Sequence, residues 1–267
     1  MIEIGERGKL GERIMQLNII DTKPLIQSVA VITPTIGKDT LTRCVESVHK
    51  QTFKNIKHHI VIDGTTGAND VINSINVAIG DDWRGIYTST LAENVGANGW
   101  YGHRIYAAFS FLFNADAVCF LDEDNWFEPD HIQGLVDTIN ENNLDWAFSF
   151  RKIYDKDGTY LFDDNCESLG VHPVYMNENA FHVDTSSYMV RKDVAVKVGA
   201  AWYGQWGADR QYYSVLVNHF PEAGPSKKYS LCYRLDGNEG SVSKQFFEQG
   251  NAAMKARYGD NYPWMQD

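Results

Sequence analysis

The chain has little positive charge. Its 24 lysines and arginines stand against 35 aspartates and glutamates, which gives a net charge of −11. Nucleic acids and anionic membranes are bound through excess positive charge, so we expect neither as the main partner. A nucleotide is compatible with this balance, because backbone amides and a metal ion can hold its phosphates.

Cysteines are few, and long apolar segments are missing. The four cysteines are at positions 44, 119, 166 and 232. They lie far apart without a CxxC pair, which argues against a structural zinc site and favours a reduced, cytoplasmic setting. Charged residues interrupt every apolar run near the N-terminus, so we expect neither a signal peptide nor a membrane span. Residues 1–27 are predicted to be an extension that packs on the main domain.

Residues 28–143 alternate between apolar strands and amphipathic helices. The predicted strands are 28–33, 59–62, 85–88 and 117–121, and the predicted helices have their apolar positions within 41–48, 71–79, 105–112 and 132–139. This order predicts an α/β fold with a mostly parallel central sheet and helices on both faces.

The alternation ends after residue 143. The predicted elements there are strands 146–154, 159–162, 186–191 and 229–234, and helices 192–198, 208–218 and 243–257. We interpret 28–143 and 144–267 as two halves of one continuous fold.

The most informative stretch is 117–124, in which five apolar residues are followed directly by Asp122, Glu123 and Asp124. Ligands of open α/β sheets bind outside the carboxyl ends of the strands, so a hard divalent cation could be held here and bridge to a diphosphate. The alternative is a solvated acidic turn that caps the next helix. The cluster alone does not distinguish the two.

Other predicted strands also end in polar residues. The first strand runs into Thr33-Pro34-Thr35, and the second runs into Asp63. Because the carboxyl ends of parallel strands share one edge of a sheet, we expect these residues to meet the acidic cluster at one cleft.

Taken in order, these motifs resemble those of the GT-A glycosyltransferases of family 2. That family has a strand ending in Thr-Pro or a similar pair, a strand ending in Asp, an Asn-x-Gly stretch that opens a helix, and a strand ending in the DxD motif. The corresponding segments here are Thr33-Pro34-Thr35, Asp63, Asn94-Val95-Gly96 and Asp122-Glu123-Asp124. The likeness covers roughly residues 28 to 130 and extends more loosely to about 245.

The resemblance implies a nucleotide site in the first half of the chain. Residues 33–35 would contact the nucleoside, Asp63 would hydrogen-bond the edge of the base, and Asn94, Gly96 and Arg104 would line the ribose and pyrophosphate. Two simpler interpretations stay open: Asp63 as a turn residue before a glycine, and Arg104 as an exposed helix residue.

The resemblance also implies a metal site. Asp122 would reach the ribose or a metal-bound water, and Asp124 would ligate Mn²⁺ or Mg²⁺ directly, so that both belong to the metal site. Glu123 is included among the donor-binding residues, although strand alternation turns it away from its neighbours.

The second half would supply the acceptor site and a general base. The segment 202–210 (WYGQWGADR) resembles a family segment that ends in an acidic pair at a helix start. By that match Asp209 is the candidate base, which takes a proton from the acceptor hydroxyl. Ala208 replaces the family's first acidic residue, and a lone Asp at a helix start is also a common first-turn residue. Trp202 and Trp206 are candidate contacts for a carbohydrate, because flat rings pack on the apolar faces of sugars.

Several related enzymes have a histidine metal ligand late in the chain. The matching segment, 233–243, contains Asp236 and Asn238 instead. His172 and His182 lie in the preceding loop region, but histidines in such positions are more often packed or at the surface.

The sequence therefore predicts a metal-dependent, inverting glycosyltransferase that moves a sugar from a UDP-sugar, or another NDP-sugar, to a hydroxyl acceptor such as a carbohydrate. Two alternatives remain. A nucleotidyltransferase would have a Gly-rich basic loop after the first strand, which Ile36-Gly37-Lys38 matches poorly. A catalytically weak nucleotide- or glycan-binding pseudo-transferase would explain Ala208 and the missing late histidine.

Overall fold

A mixed sheet organises residues 22–236 and 242–266, which are the residues that this computed structural model describes. The strands are β1 Val29–Thr35, β2 Ile56–Ile62, β3 Ile86–Thr90, β4 Ala117–Phe120, β5 Trp126–Phe127, β6 Trp146–Tyr154, β7 Tyr160–Asp163, β8 Tyr188–Arg191 and β9 Ala223–Arg234. The helices are α1 Leu41–His49, α2 Ala68–Ile79, α3 His103–Leu112, α4 His131–Glu141, α5 Lys192–Val198, α6 Ala208–His219 and α7 Lys244–Tyr258.

The strand order across the sheet is β3-β2-β1-β4-β8-β6-β9-β5, and β7 pairs with the last residues of β6, beyond the part that pairs with β8. The pairs β1–β2, β2–β3, β1–β4 and β6–β9 are parallel. β8 lies antiparallel between β4 and β6, so β6 and β9 run in the same direction as β1 to β4. The prediction of a mostly parallel sheet is confirmed.

Helices cover both faces of the sheet, as predicted. Successive side chains of β1 point to opposite faces. Ala30 and Ile32 belong to a core that includes residues of α3, α5 and α6, whereas Val29 and Val31 belong to a core with residues of α1 and α4. The sheet is therefore packed between two apolar layers.

Two strands differ most from the prediction, whereas the ends of the others shift by up to three residues. β5 has only two residues, Trp126–Phe127, and pairs with β9, so it leaves no detectable pattern in the sequence. β9 begins at Ala223, six residues before the predicted start at 229. Gly224 and Pro225 obscure this part of the strand, since both residues are depleted in sheet interiors. The pairing of β9 with β6 also shifts register near Phe150.

Residues 23–28 contact both halves of the chain. The Lys23 amide donates to Asn143 Oδ1, and Arg191 Nη1 donates to the carbonyl of Pro24. Most of the predicted extension, residues 1–21, lies outside the described residues. All four cysteines are buried and free. Among the described helices, none is long and apolar enough to cross a membrane.

Two buried histidines make the stability of the fold depend on pH. His58 Nε2 lies 2.9 Å from Thr33 Oγ1, and the His131 ring stacks on Phe127 with 3.9 Å between ring centroids. Burial lowers the pKa of each imidazole from 6.5 to about 3. The unfolded chain therefore binds protons on these residues at a pH where the folded protein does not.

We expect the free energy of unfolding to fall as the pH decreases from about 6.5 towards 3, because protons then favour the unfolded state. Each histidine should contribute a slope of roughly 1.4 kcal/mol per pH unit. Urea unfolding between pH 7.5 and 4.5 measures the slope for the parent and for His58→Gln. The matched control is His219→Gln at an exposed position of α6. An equal slope in both variants would contradict the assignment.

Candidate active site

A cleft of about 670 Å³ opens at the carboxyl ends of β1, β2 and β4. It brings together residues from both halves of the chain. The predicted site residues that line it are Pro34, Thr35, Asp63, Asn94, Gly96, Asp122, Glu123, Asp124, Trp206 and Asp209. Three predicted residues are not part of the lining, namely Thr33, Arg104 and Trp202.

Asp122 lies directly beyond β4 in a position rich in negative charge. Its Oδ1 accepts a hydrogen bond of 2.7 Å from the Tyr106 hydroxyl, and its amide donates to Ser186 Oγ at 3.1 Å. Burial, together with the neighbouring Asp124 and Asp184 carboxylates, raises the pKa of Asp122 from 3.8 to about 7. A cation at this edge of the cleft would relieve that repulsion.

Glu123 and Asp124 connect the acidic cluster to the turn after β1. Glu123 is 7% exposed, and it accepts hydrogen bonds from Thr35 Oγ1 at 2.5 Å and from the Lys38 amide at 3.1 Å. Asp124 Oδ2 lies 3.2 Å from Lys38 Nζ. Glu123 therefore holds the turn in place, whereas Asp124 has an exposed and movable cation as its partner.

The side chains present fit a divalent cation that a diphosphate helps to hold. Mg²⁺ commonly takes one or two protein carboxylates and completes its shell with phosphate oxygens and water. Asp122 and Asp124 both line the cleft and could supply such carboxylates. Within residues 22–236 and 242–266, no group of three or more His, Cys, Asp or Glu side chains surrounds one cation position. The arrangement thus suits an ion shared with a substrate.

Asp63 holds the loop after β3 by two backbone hydrogen bonds. Its Oδ1 accepts from the Val95 amide at 2.7 Å, and its Oδ2 accepts from the Gly96 amide at 2.8 Å. A Cβ on Gly96 would lie 2.3 Å from the Tyr101 carbonyl oxygen and 2.6 Å from Asp63 Oδ2, so only glycine fits. Asp63 is thus more than a turn residue, and each of its oxygens keeps a lone pair that can face the cleft.

Thr33 and Arg104 lie behind the wall of the cleft. Thr33 is fully buried with its hydroxyl on His58, one strand repeat of roughly 6.6 Å below Thr35. The Arg104 guanidinium lies 3.5 Å above the Trp100 ring, and its Nη1 donates to the Val95 carbonyl at 3.3 Å. Arg104 thus supports the loop at Val95 from outside, and neither residue lines the cleft.

Asp209 occupies the first turn of α6, and its two oxygens have different neighbours. Oδ1 accepts a hydrogen bond of 2.8 Å from the Arg210 amide, and Oδ2 lies 3.7 Å from His182 Nε2. Trp206, 72% exposed, lines the cleft nearby. Trp202 is fully buried and stacks on Tyr212 with 4.2 Å between ring centroids. The assignment of Trp202 to acceptor contact therefore needs correction: packing inside the core removes this ring from the cleft.

Arg151, which was not predicted from the sequence, has its guanidinium buried at the base of the cleft. It forms ion pairs with Asp164 at 2.9 Å, with Glu167 at 2.6 Å and with Asp184 at 2.8 Å. Arg151 lies in the middle of β6, where no local motif marks it. Asp184 caps a short 3₁₀ turn by accepting from the Ser186 amide at 2.9 Å, so its sequence context indicates only a turn.

The family assignment follows from a comparison with known families. The model of glycosyl transferase family 2 matches residues 30–192, which run from the second residue of β1 to just past β8 and include the acidic cluster. This is more than half of the chain. The chain belongs to glycosyl transferase family 2. The resemblance seen in the ordered strand-end motifs is thereby confirmed.

A curated relative of this family 2 protein is the glycosyltransferase GlyA of Streptococcus pneumoniae serotype 4. The two are 28% identical over 142 residues, which are 50% of this chain and 18% of GlyA. The chain therefore spans less than a fifth of the length of that relative.

Solved structures of S. aureus TarS have the same fold as this family 2 protein. The TarS 1–349 complex with UDP matches 87% of this chain and 66% of its own, with a TM-score of 0.57 and 15% identity. The complex with UDP-GlcNAc matches 87% of this chain and 67% of its own, with a TM-score of 0.57 and 14% identity. At such low identity the likeness establishes the fold alone, which is the predicted GT-A fold.

Gly96→Ala should destabilise the protein, because the added Cβ would clash with the Tyr101 carbonyl and with the Asp63 oxygen that accepts from the Gly96 amide. We expect a loss of about 1–3 kcal/mol in the free energy of unfolding, measured with urea. Gly134→Ala in α4 is the matched control, because its new Cβ would lie 3.4 Å from the flexible side chain of Lys228. If both substitutions lower the free energy of unfolding by the same amount, the close approach at Gly96 does not contribute to stability.

Proposed function

We propose that this protein is a metal-dependent glycosyltransferase that moves a sugar from a UDP-sugar to a hydroxyl acceptor with inversion at the anomeric carbon. One observation carries the proposal: the Asp122 and Asp124 carboxylates and the Asp209 carboxylate line the same cleft. A diphosphate leaving group needs positive charge, and an attacking hydroxyl needs a base. The cleft contains candidates for both requirements.

The donor would lie against the first half of the chain. Pro34, Thr35, Asp63 and the loop at Gly96 line the part of the cleft that we assign to the nucleoside. Membership in family 2 and the TarS complexes with UDP and UDP-GlcNAc support a UDP-linked sugar. Lys38 lies beside Asp124 at 3.2 Å with 45% of its side chain exposed, so it can turn towards a phosphate.

Asp122 and Asp124 would hold Mn²⁺ or Mg²⁺, which when bound neutralises charge on the departing diphosphate. Asp209 would accept the proton of the acceptor hydroxyl. The acceptor oxygen then forms a bond to the anomeric carbon while the bond from that carbon to the diphosphate oxygen breaks. A single displacement on the face opposite the leaving group inverts the configuration, and the cleft needs only one base for it.

The acceptor would lie against the second half of the chain. Trp206 presents an exposed ring at the cleft, and the Arg210 guanidinium lies 5.1 Å from the centre of that ring. A flat ring in this position suits the apolar face of a sugar. We accordingly assign donor binding to residues 28–143 and acceptor binding to residues 144–267.

The free, buried cysteines agree with a reduced, cytoplasmic setting.

Calorimetric titration of UDP tests the donor site. We expect binding that requires Mn²⁺ and that is weakened at least about tenfold by Asp124→Ala, because the ion loses a direct ligand. Asp193→Ala is the matched control, since Asp193 is exposed on α5 with Lys197 as its partner. Equal binding by the parent and Asp124→Ala would make the acidic cluster structural, and no binding by the parent would refute a UDP-linked donor.

Release of UDP from UDP-sugars tests turnover and the role of Asp209. Asp209→Asn keeps the size of the side chain but removes the base, so we expect kcat to fall by roughly 10²–10⁴ while UDP binding is retained. A parent protein that binds UDP with Mn²⁺ but turns over none of the UDP-sugars, with glycans as acceptors, would instead be the pseudo-transferase.

A further inference from the structure

His182 faces the carboxylate of Asp209 from the loop before β8. Its side chain is 5% exposed, and its Nε2 lies 3.7 Å from Asp209 Oδ2. The backbone is held there, because the His182 carbonyl accepts a hydrogen bond of 3.0 Å from the Gly170 amide. One oxygen of Asp209 is thus bonded to its own helix, and the other faces a buried imidazole.

The geometry indicates which ring nitrogen carries the proton. His182 Nδ1 is buried and has no hydrogen-bond partner among the described residues. A neutral imidazole has one N–H and one lone pair. A lone pair on Nε2 would be repelled by the Asp209 carboxylate, so the proton belongs on Nε2. The charged and titratable groups near this pair include Asp184, Arg151, Arg210, Glu167 and His103.

We propose that His182 is a positioning residue for Asp209. Its Nε2 faces one oxygen of the carboxylate while the Arg210 amide donates to the other, an arrangement that would orient the carboxylate plane relative to the cleft. A distance of 3.7 Å exceeds that of a hydrogen bond, but such contacts often shorten when a substrate binds. A base that a third group orients is a recurring arrangement in enzymes. The proposal rests on the proposed function, in which Asp209 is the base.

The proposed role of His182 affects kcat and not donor binding. His182 contacts Asp209, whereas the nucleoside side of the cleft is formed by the loop that Asp63 holds. Loss of the His182 contact should therefore lower kcat without changing the KM for the donor. A histidine that only fills space would instead affect stability and both constants together.

Two isosteric substitutions separate positioning from packing. The amide nitrogen of a glutamine can occupy the place of Nε2, whereas that of an asparagine falls near Nδ1. With UDP-GlcNAc as the donor probe and UDP release as the readout, we expect His182→Asn to lower kcat about tenfold or more. His182→Gln should stay within about threefold of the parent, and the KM for UDP-GlcNAc should be unchanged in both.

A double-mutant cycle with Asp209→Asn shows whether His182 acts through Asp209. We expect His182→Asn to cause no further loss of kcat once Asp209 is replaced. An equal loss in both backgrounds, or equal activity of the parent and His182→Asn, would overturn the proposal. Thermal unfolding of every variant identifies any that fail to fold. If a variant does not fold, the proposal is tested with the His182→Gln variant and with the spectrum described next.

A measurement without turnover keeps the proposal separate from the proposed function. Long-range ¹H–¹⁵N correlation at pH 8 on protein with ¹⁵N-histidine should show His182 with its proton on Nε2. His182→Gln assigns that signal, which should shift in Asp209→Asn. A proton on Nδ1, or no response to Asp209→Asn, overturns the proposal. If the parent turns over no UDP-sugar, the proposed function fails, and this spectrum still decides whether His182 contacts Asp209.

Discussion

The ion pairs of the Arg151 guanidinium are the interaction on which the acceptor side of the cleft depends. A buried charge is tolerated only when it is well paired, because its desolvation costs several kcal/mol. Arg151 is 1% exposed and contacts Asp164, Glu167 and Asp184. These carboxylates belong to the long connection between β7 and β8. One strand residue thus fixes the irregular segment that also carries His182.

The two groups of carboxylates in the cleft have different electrostatic environments. Around Arg151 each carboxylate has a close cationic partner. At Asp122, burial and then the negative charges of Asp124 and Asp184 raise the pKa of the carboxyl to about 7. Strongly shifted carboxyls in a cleft are typical of functional sites, whereas satisfied ion pairs are typical of structure. This contrast supports the proposal of a cation at the end of β4.

The strand-end motifs predicted much of the site, since the geometry of a parallel sheet is regular. Asp63 follows β2 and Asp122 lies just beyond β4, the two strands that flank β1. Both residues line the cleft, as expected from their positions. The motifs did not predict how deeply each side chain is buried. Thr33 shares the motif of Thr35 but lies one repeat below the edge, and Trp202 lies next to glycines yet packs against Tyr212. A pattern along the chain indicates which residues come near a site and not which way each side chain turns.

The sequence by itself determined the fold class, the family, and the order of strands and helices in the first half apart from the two-residue β5. These depend on local periodicity and on short motifs at strand ends, which one stretch of chain contains in full. Only the tertiary structure decided that Arg151 pairs with three carboxylates, that β8 lies antiparallel between β4 and β6, and that His182 faces Asp209. Each of these contacts joins residues far apart in sequence, and its geometry is set by how the whole sheet and its helices pack.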